Sequence, residues 1–369
     1  MQVKRIGIIG ATGNIGKTLI TEIIDNTNLS LIIGCRDISK VDKYFKANNR
    51  VNVMKLNIND NNELLRFCNQ CQIIINCSSP SSLFYNKVVL VCLEKNIDYI
   101  DVSGNMELFD YLNDQREVIE HKKLSYILSA GIYPGFTEIY PYYISNMFDV
   151  KINNLTVYFS SIGEISTNAA YDFVSSFNHN HAQGMSYYKE GDIKKIDSSK
   201  STNIDSPSDI LLSEMYPIIN HEFADMIDKN KSIGEAYFFN AYPNKSVFNE
   251  FMVIKIMGMY KKHKEKLESA KSLQNKYYSM FKEYGNHTKL YVNIKGEKDN
   301  KKALIKSSFE FNGSSNCISA IVAYSAMNAI LNKKEYLGLT FPYFVIDIED
   351  CLNKLQEKGA KMNTSIEYI

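Results

Sequence analysis

A glycine-rich segment near the start of the chain, GIIGATGNIG at residues 7–16, constrains the fold more than any other stretch. It follows a short apolar, β-branched run at residues 3–9, and it leads into residues 16–24, whose apolar side chains form one helical stripe. Residues 29–34 are again short and apolar, which is typical of a parallel strand covered on both faces. Together the three segments predict one β-α-β unit.

The same alternation of strand and helix continues to residue 128. The predicted strands cover residues 51–56, 72–77, 98–101 and 124–128, and the predicted helices cover residues 61–68, 86–95 and 105–122. Parallel strands that are joined by helices form a doubly wound sheet. We therefore expect an α/β fold, with a Rossmann-type doubly wound parallel sheet, in residues 1–135.

The second half of the chain has a different pattern. Residues 154–160, 289–294 and 304–311 alternate apolar and polar side chains, as strands with one solvated face do. Residues 296–300 are a good hairpin loop between the last two strands. We therefore expect a second, α+β domain that contains an antiparallel sheet.

We place this second domain at residues 136–312 and assign it substrate binding and dimer formation, so that a homodimer is expected. The small and apolar segment at residues 315–331 predicts a helix, and residues 313–369 are expected to be C-terminal helices that return to the first domain. The polar residues 189–208 are expected to form a loop or lid.

The glycines of the first segment fit a turn that holds a nucleotide. Gly10 permits a tight turn, Gly13 lets the backbone approach a pyrophosphate, and Gly16 lets the helix pack closely on the strand. Free N–H groups at the start of the helix then bind the anion. The predicted dinucleotide contacts are Gly10, Thr12, Gly13, Asn14 and Ile15.

The end of the second predicted strand indicates which dinucleotide binds. An arginine there pairs with a 2′-phosphate, whereas a carboxylate there holds the 2′-hydroxyl of NAD. Arg36, with Lys40 nearby, favours NADP(H). Asp37 keeps NAD as the alternative.

The overall charge and the cysteines exclude several classes of function. The formal net charge is +1, so no global field draws the chain to nucleic acid or to anionic lipid. No apolar run approaches the roughly 18 residues that a membrane span needs. Seven cysteines form no regular framework. We therefore expect a cytoplasmic protein that binds neither nucleic acid nor metal and acts on a small-molecule substrate.

Several short segments of the first domain together resemble a known family. After the glycine-rich segment come GCRD at residues 34–37, INCSSP at 75–80, YIDVSG at 99–104 and AGIYPG at 130–135. In this order they resemble the saccharopine dehydrogenase-like NADP-binding oxidoreductase family. The resemblance extends from residue 1 to about residue 145 and continues more faintly to about residue 340.

The resemblance implies a reductase that uses NADP(H). It implies that Ser78, Ser79 and Pro80 lie near the ribose and nicotinamide of the cofactor, that Gly104 contributes to the same site, and that residues 131–135 lie near the domain junction. The sequence departs from the common family pattern at Ser79, where glycine is frequent, and at residue 105, where an acidic residue is frequent.

Four residues are candidates for catalysis, because hydride transfer is often accompanied by proton transfer from a nearby side chain. They are Asp101, Tyr133, Tyr171 and His181. Each has a structural alternative: Asp101 could cap a strand end, the tyrosines could be packed, and His181 could be an ordinary loop histidine. His179 and His181 without a third ligand predict no metal site.

The sequence leaves three functions open. The first is an NADPH-dependent oxidoreductase that transfers hydride to or from a C=N or C–N bond of a small amino- or imino-acid-type metabolite. The second is an enoyl (C=C) reductase of a lipid or natural-product intermediate. The third is a non-catalytic NADP(H)-binding sensor or scaffold.

Overall fold

The chain forms two compact units. The computed structural model describes residues 5–84, 86–104, 106–178, 182–196, 214–230, 233–333 and 335–368. The first unit comprises Met1–Phe136 and Asn316–Lys354, and the second comprises Thr137–Ser315 and Leu355–Ile369.

Strands and helices alternate regularly in the first third of the chain. The elements are β1 (Arg5–Ile9), α1 (Asn14–Asn26), β2 (Ser30–Cys35), α2 (Lys43–Ala47), β3 (Val51–Lys55), α3 (Asn61–Cys68), β4 (Ile73–Asn76), α4 (Lys87–Lys95), β5 (Asp98–Asp101), α5 (Met106–Asp114), α6 (Arg116–His121) and β6 (Ser125–Ile127).

The rest of the chain is richer in long strands. The elements are α7 (Phe136–Met147), β7 (Lys151–Ile162), α8 (Thr167–Ser175), β8 (Ala182–Gly184), β9 (Ser186–Lys189), β10 (Asp192–Lys195), β11 (Glu214–Asn220), α9 (His221–Lys229), β12 (Ile233–Tyr242), α10 (Ser246–Ile256), α11 (His263–Tyr284), β13 (His287–Lys298), β14 (Lys301–Phe311), α12 (Ser315–Asn332), β15 (Gly338–Thr340), α13 (Pro342–Val345), α14 (Ile348–Glu357) and β16 (Lys361–Tyr368).

The first unit is built on a seven-stranded sheet with the order β15-β6-β5-β4-β1-β2-β3. All of its pairings are parallel, so the carboxyl ends of the strands meet at one edge. The predicted Rossmann-type sheet is therefore confirmed. The direction of winding reverses between β1 and β4, and such a reversal is where doubly wound sheets bind ligands.

The central strands of this sheet are buried and apolar on both faces, as is typical of a parallel sheet with helices on both sides. The run Ile73, Ile74 and Ile75 in β4 has no solvent exposure, and the apolar stripe predicted for α1 is buried in the same core. This explains why periodicity identified these strands correctly in the sequence.

The second unit contains a nine-stranded mixed sheet, whose main path is β10-β9-β12-β7-β13-β14-β16. The predicted antiparallel hairpin is present as β13 and β14, which pair from Thr288↔Phe311 to Lys298↔Lys301. Its turn is shorter than the predicted loop, because Asp299 and Asn300 alone make it, with φ angles of 51° and 61°. The second predicted domain class, α+β with an antiparallel sheet, is therefore also confirmed.

Seven of the described strands, β8 to β12, β15 and β16, occur where the sequence analysis predicted none, and the edge strands β15, β10 and β16 are among them. β15 adds a seventh strand beside β6, β10 lies within the expected loop, and β16 pairs with β14 although helices are predicted for the C-terminal segment. Each lies at the edge of its sheet. Edge strands bury fewer side chains and therefore show weaker apolar patterns. Residues 197–208 of the expected loop are outside the described residues.

An ion pair fastens the end of α12 to the first sheet. Nζ of Lys333 lies 3.0 Å from Oδ2 of Asp98 at the start of β5, and both side chains are only 15 % exposed. Asp98 also accepts a hydrogen bond of 2.8 Å from the backbone N–H of Ser125 at the start of β6. The carboxylate thus joins α12, β5 and β6.

We expect Lys333→Met to lower the free energy of unfolding by about 1–3 kcal/mol, because it leaves the Asp98 carboxylate largely buried without its cation. Urea unfolding followed by circular dichroism measures the change. Lys55→Met is the matched control: Lys55 pairs with Glu63 at 3.9 Å but is 64 % exposed, so its loss should cost less than about 0.5 kcal/mol. Equal losses in the two variants would contradict the assignment.

Candidate functional site

Five loops gather at the carboxyl edge of the parallel sheet. They follow β1, β2, β4, β5 and β6, and backbone hydrogen bonds extend the sheet into them. The N–H of Cys77 donates to the carbonyl of Ile9 at 2.9 Å, and the N–H of Ala130 donates to the carbonyl of Asp101 at 2.8 Å. These loops, together with the first two residues of α1, contain every cofactor contact that the sequence predicted in the first unit.

The turn after β1 requires glycine. Gly10 has a φ angle of +86°, and a Cβ atom there would lie 2.7 Å from the carbonyl oxygen of Cys77. A Cβ atom at Gly16 would lie 2.4 Å from the carbonyl oxygen of Gly10. The backbone of this turn therefore packs directly against the loop after β4 and against the start of α1.

The N-terminus of α1 has no side-chain cap. Gly13 is the N-cap residue, and it has no side chain that could accept hydrogen bonds from the first-turn amides. Gly13 and Asn14 are exposed, and Thr12 and Ile15 are half-buried. The first turn of a helix is the positive end of its dipole. Because this turn is accessible, it suits an anion such as a pyrophosphate.

The loop after β2 carries the three residues that bear on the choice of dinucleotide, which are Arg36, Asp37 and Lys40. Arg36 and Lys40 are exposed. Asp37 caps a single turn of 3₁₀ helix at residues 38–40: its Oδ1 accepts hydrogen bonds from the hydroxyl of Ser39 at 2.6 Å and from the Ser39 N–H at 3.0 Å. These two hydrogen bonds hold the pKa of Asp37 below its ordinary value, and the bond from the Ser39 hydroxyl has the larger effect. The Asp37 carboxylate is therefore already engaged in capping this 3₁₀ turn.

Asp101 belongs to a buried polar network. Its Oδ2 accepts a hydrogen bond of 2.6 Å from the hydroxyl of Tyr99 and one of 3.0 Å from Nδ2 of Asn76, and its Oδ1 accepts one of 2.9 Å from the N–H of Ser103. Asn76, Tyr99 and Asp101 are each no more than 3 % exposed. The pKa of Tyr99 is raised well above its ordinary value, mainly by burial and to a smaller extent by the charge of Asp101.

The network fixes the loops beside it. Oδ1 of Asn76 accepts hydrogen bonds from the N–H and the hydroxyl of Ser78, so the loop after β4 is bound to the same amide that contacts Asp101. The geometry gives Asp101 the features of a positioning residue. Sequence reasoning assigned no role to Asn76 and Tyr99, although Asn76 and Asp101 are the last residues of adjacent strands and pair in register.

The loops after β5 and β6 also lie against each other. Gly104 has a φ angle of +65°, and a Cβ atom there would lie 2.7 Å from both Cγ of Pro134 and Oγ of Ser129. Tyr133 lies on the second of these loops and is half-buried. Gly104 and Tyr133 therefore belong to neighbouring loops at the carboxyl edge.

The remaining two catalytic candidates, Tyr171 and His181, follow the first domain in the sequence. Tyr171, in α8 of the second unit, is 3 % exposed, and its hydroxyl lies 2.8 Å from Nδ1 of His263 in α11. Its ring belongs to an apolar cluster with Ala170 and Val174, and burial raises its pKa. His181 is outside the described residues. Catalytic roles for these two residues stay predictions.

The described residues hold no group of three or more His, Cys, Asp and Glu side chains that could bind a metal ion. Among the helices in the described ranges, none is both long and apolar enough to cross a membrane. The described cysteines, all seven, are free.

Most of the first 127 residues match the sequence pattern of a known protein family. Residues 6–127 match the family model of the saccharopine dehydrogenase NADP binding domain. A probable mitochondrial saccharopine dehydrogenase-like oxidoreductase of Arabidopsis thaliana is 25 % identical over 158 residues. That match covers 39 % of this chain and 34 % of the relative, so it spans about one third of the relative's length.

The fold of the whole chain is similar to that of a solved structure. Apo saccharopine dehydrogenase (L-Glu forming) from Saccharomyces cerevisiae superimposes with a TM-score of 0.67 and a sequence identity of 14 %. The match covers 98 % of this chain and 100 % of the yeast chain. At this identity the similarity establishes the shared fold.

We expect Cys77 to resist alkylation in the folded protein, although it lies on a loop of the site. Burial first, and then the negative charge of Asp101, raise the pKa of the Cys77 thiol far above its ordinary value. The thiolate is the reactive form, so almost none is present at about pH 8. Because Cys77 is half-buried, N-ethylmaleimide labelling followed by peptide mass spectrometry should modify it much more slowly in the native chain than in guanidinium. Labelling of native Cys77 at the unfolded rate would contradict the packing.

Proposed function

We propose that the chain is an NADPH-dependent oxidoreductase, on the basis of the match of residues 6–127 to the saccharopine dehydrogenase NADP binding domain. Its proposed reaction transfers hydride to or from a C=N or C–N bond of a small amino- or imino-acid-type metabolite. The proposal includes a cytoplasmic location and a homodimeric state.

The turn at Gly10 carries the proposal. Its positive φ angle and its contact with Cys77 leave no room for a side chain, so the backbone can approach a pyrophosphate. The uncapped first turn of α1 supplies N–H donors next to it. Gly10, Thr12, Gly13, Asn14 and Ile15 would hold the pyrophosphate of NADP(H).

The loop after β2 favours NADP(H) over NAD. Arg36 and Lys40 are exposed cations that would bind the 2′-phosphate. The carboxylate that would hold the 2′-hydroxyl of NAD is instead engaged by Ser39.

The chain's own residues then position the reacting groups. Bound NADPH would supply the hydride for the reaction. The Asn76–Tyr99–Asp101 network holds Ser78 in place, and Ser78, Ser79, Pro80 and Gly104 would border the ribose and nicotinamide. We propose a positioning role for Asp101, because three donors already occupy its oxygens. Tyr133 is then the proposed proton donor of the first unit.

We expect Gly10→Ala to weaken NADPH binding by about tenfold or more, because the new Cβ atom would displace the Cys77 loop. Gly191→Ala is the control: Gly191 has a similar φ angle of +88°, but a Cβ atom there would meet nothing within 4 Å. Both variants should show backbone strain in thermal unfolding. Only the first should lose affinity in isothermal titration calorimetry, and unchanged affinity in Gly10→Ala would contradict the proposed cradle.

Replacing Arg36 tests the choice of cofactor separately. Arg36→Gln removes a charge-assisted contact to the 2′-phosphate, so NADPH affinity should fall about tenfold or more, whereas NADH affinity should stay unchanged. Arg66→Gln, at an exposed arginine of α3, is the matched control and should alter neither. Equal losses for both nucleotides in Arg36→Gln would contradict the assignment.

NADPH oxidation distinguishes the proposed reaction from its rivals. Primary or amino-acid amines mixed with keto acids or aldehydes form imines in solution, and we expect the protein to consume NADPH with such mixtures. Turnover with enoyl compounds alone would identify a C=C reductase instead. Tight NADPH binding with no consumption by either panel would identify a sensor or scaffold.

A further inference from the structure

The strand β16 is an unusually open edge of the second sheet. Among the described strands it pairs only with β14, so alternate N–H and C=O groups along its other side face away from the sheet. None of its eight side chains is buried, and Tyr368 is 52 % exposed. Such an edge is a template for pairing with another strand.

The strand is nevertheless held firmly in register on its inner side. It pairs with β14 without interruption from Ala303↔Tyr368 to Glu310↔Lys361. The Thr364 hydroxyl lies 2.8 Å from that of Ser307, which in turn lies 2.7 Å from the hydroxyl of Tyr140. The open side of β16 is therefore a fixed surface.

Most of the usual protections of an edge are missing from β16, although it carries a charged residue near each end. Proteins protect such edges with short strands, bulges, proline or inward charges. The segment KMNTSIEY is eight residues long, has no proline and has no register shift. Its two charges, Lys361 and Glu367, are at opposite ends and have opposite signs.

The sequence of the strand is complementary to itself in one antiparallel register. If a two-fold axis passes through Thr364, Lys361 lies opposite Glu367 of a second copy, and Met362 lies opposite Ile366. By symmetry each pair occurs twice. Moving the axis to Asn363 or to Ser365 leaves both charges opposite uncharged residues. Cross-strand pairs of opposite charge and of apolar side chains stabilise a sheet, so the first register is preferred.

We propose that β16 pairs in antiparallel fashion with β16 of a second copy of this chain, with the two-fold axis at Thr364. In this register odd-numbered residues pair with odd-numbered ones and even with even. Side chains on one face of the first sheet therefore lie beside those on the same face of the second. The two nine-stranded sheets then form one continuous sheet across the dimer. Self-complementary charges favour a second copy of the same chain over an unrelated partner. This proposal goes beyond the predicted homodimer by naming the surface and its register, and it does not depend on the proposed oxidoreductase activity.

A charge exchange tests the register directly. Light scattering after size exclusion, over a concentration series, should show a dimer for the wild-type chain. Lys361→Glu faces Glu367 of the other copy twice, and it should weaken dimerisation by about tenfold or more. The double variant Lys361→Glu/Glu367→Lys restores opposite charges and should restore the dimer. Lys43→Glu, at an exposed lysine of α2, is the control and should leave the dimer unchanged.

Each other outcome overturns the proposal. A monomeric wild type contradicts the interface, a dimer that is unaffected by Lys361→Glu contradicts its location, and a double variant that stays monomeric contradicts its register. Amide hydrogen exchange gives a second measurement. In the dimer, consecutive amides of residues 362–367 should all be protected, whereas a free edge would protect only alternate ones. NADPH titration of the monomeric variant should show unchanged affinity, which separates this proposal from the proposed function.

Discussion

The close approach of the Gly10 backbone to the carbonyl of Cys77 is the contact on which the site depends. It joins the ends of β1 and β4, the two strands at which the winding of the sheet reverses. A side chain at position 10 would force these loops apart, and the start of α1 packs on the same turn through Gly16. One backbone turn thus brings together the uncapped helix end and the loop that carries Ser78.

A second constraint operates below these loops, where a buried carboxylate is fully engaged. Burying Asp101 without partners would cost several kcal/mol, so the hydrogen bonds from Asn76, Tyr99 and Ser103 are a condition of the fold. The same bonds fix the loops after β4 and β5. Stability and site geometry therefore rest on one network, and substitutions in it would alter both. This coupling is the basis of the positioning role proposed for Asp101.

Most of the first unit, with β7, β13 and β14 of the second, could be predicted from sequence because these elements bury continuous or periodic apolar faces, whereas the central strand β12 was not predicted. β15 and β16 could not, since edge strands carry weak patterns and their partners, β6 and β14, are distant in the chain. The glycine turn was predictable from local rules. The engagement of Asp37 by Ser39 and the contact of Tyr171 with His263, 92 residues apart, were not, because both depend on side-chain geometry.

The central claim is that the carboxyl-edge loops of the first unit hold NADP(H). Amide hydrogen exchange with and without NADPH tests it most directly, because the proposed contacts are largely backbone amides. The account predicts slower exchange in three segments, residues 10–17, 36–40 and 77–80, with no change in the β13–β14 hairpin at residues 287–311. Binding that leaves all three segments unchanged, or that protects residues elsewhere instead, would contradict it.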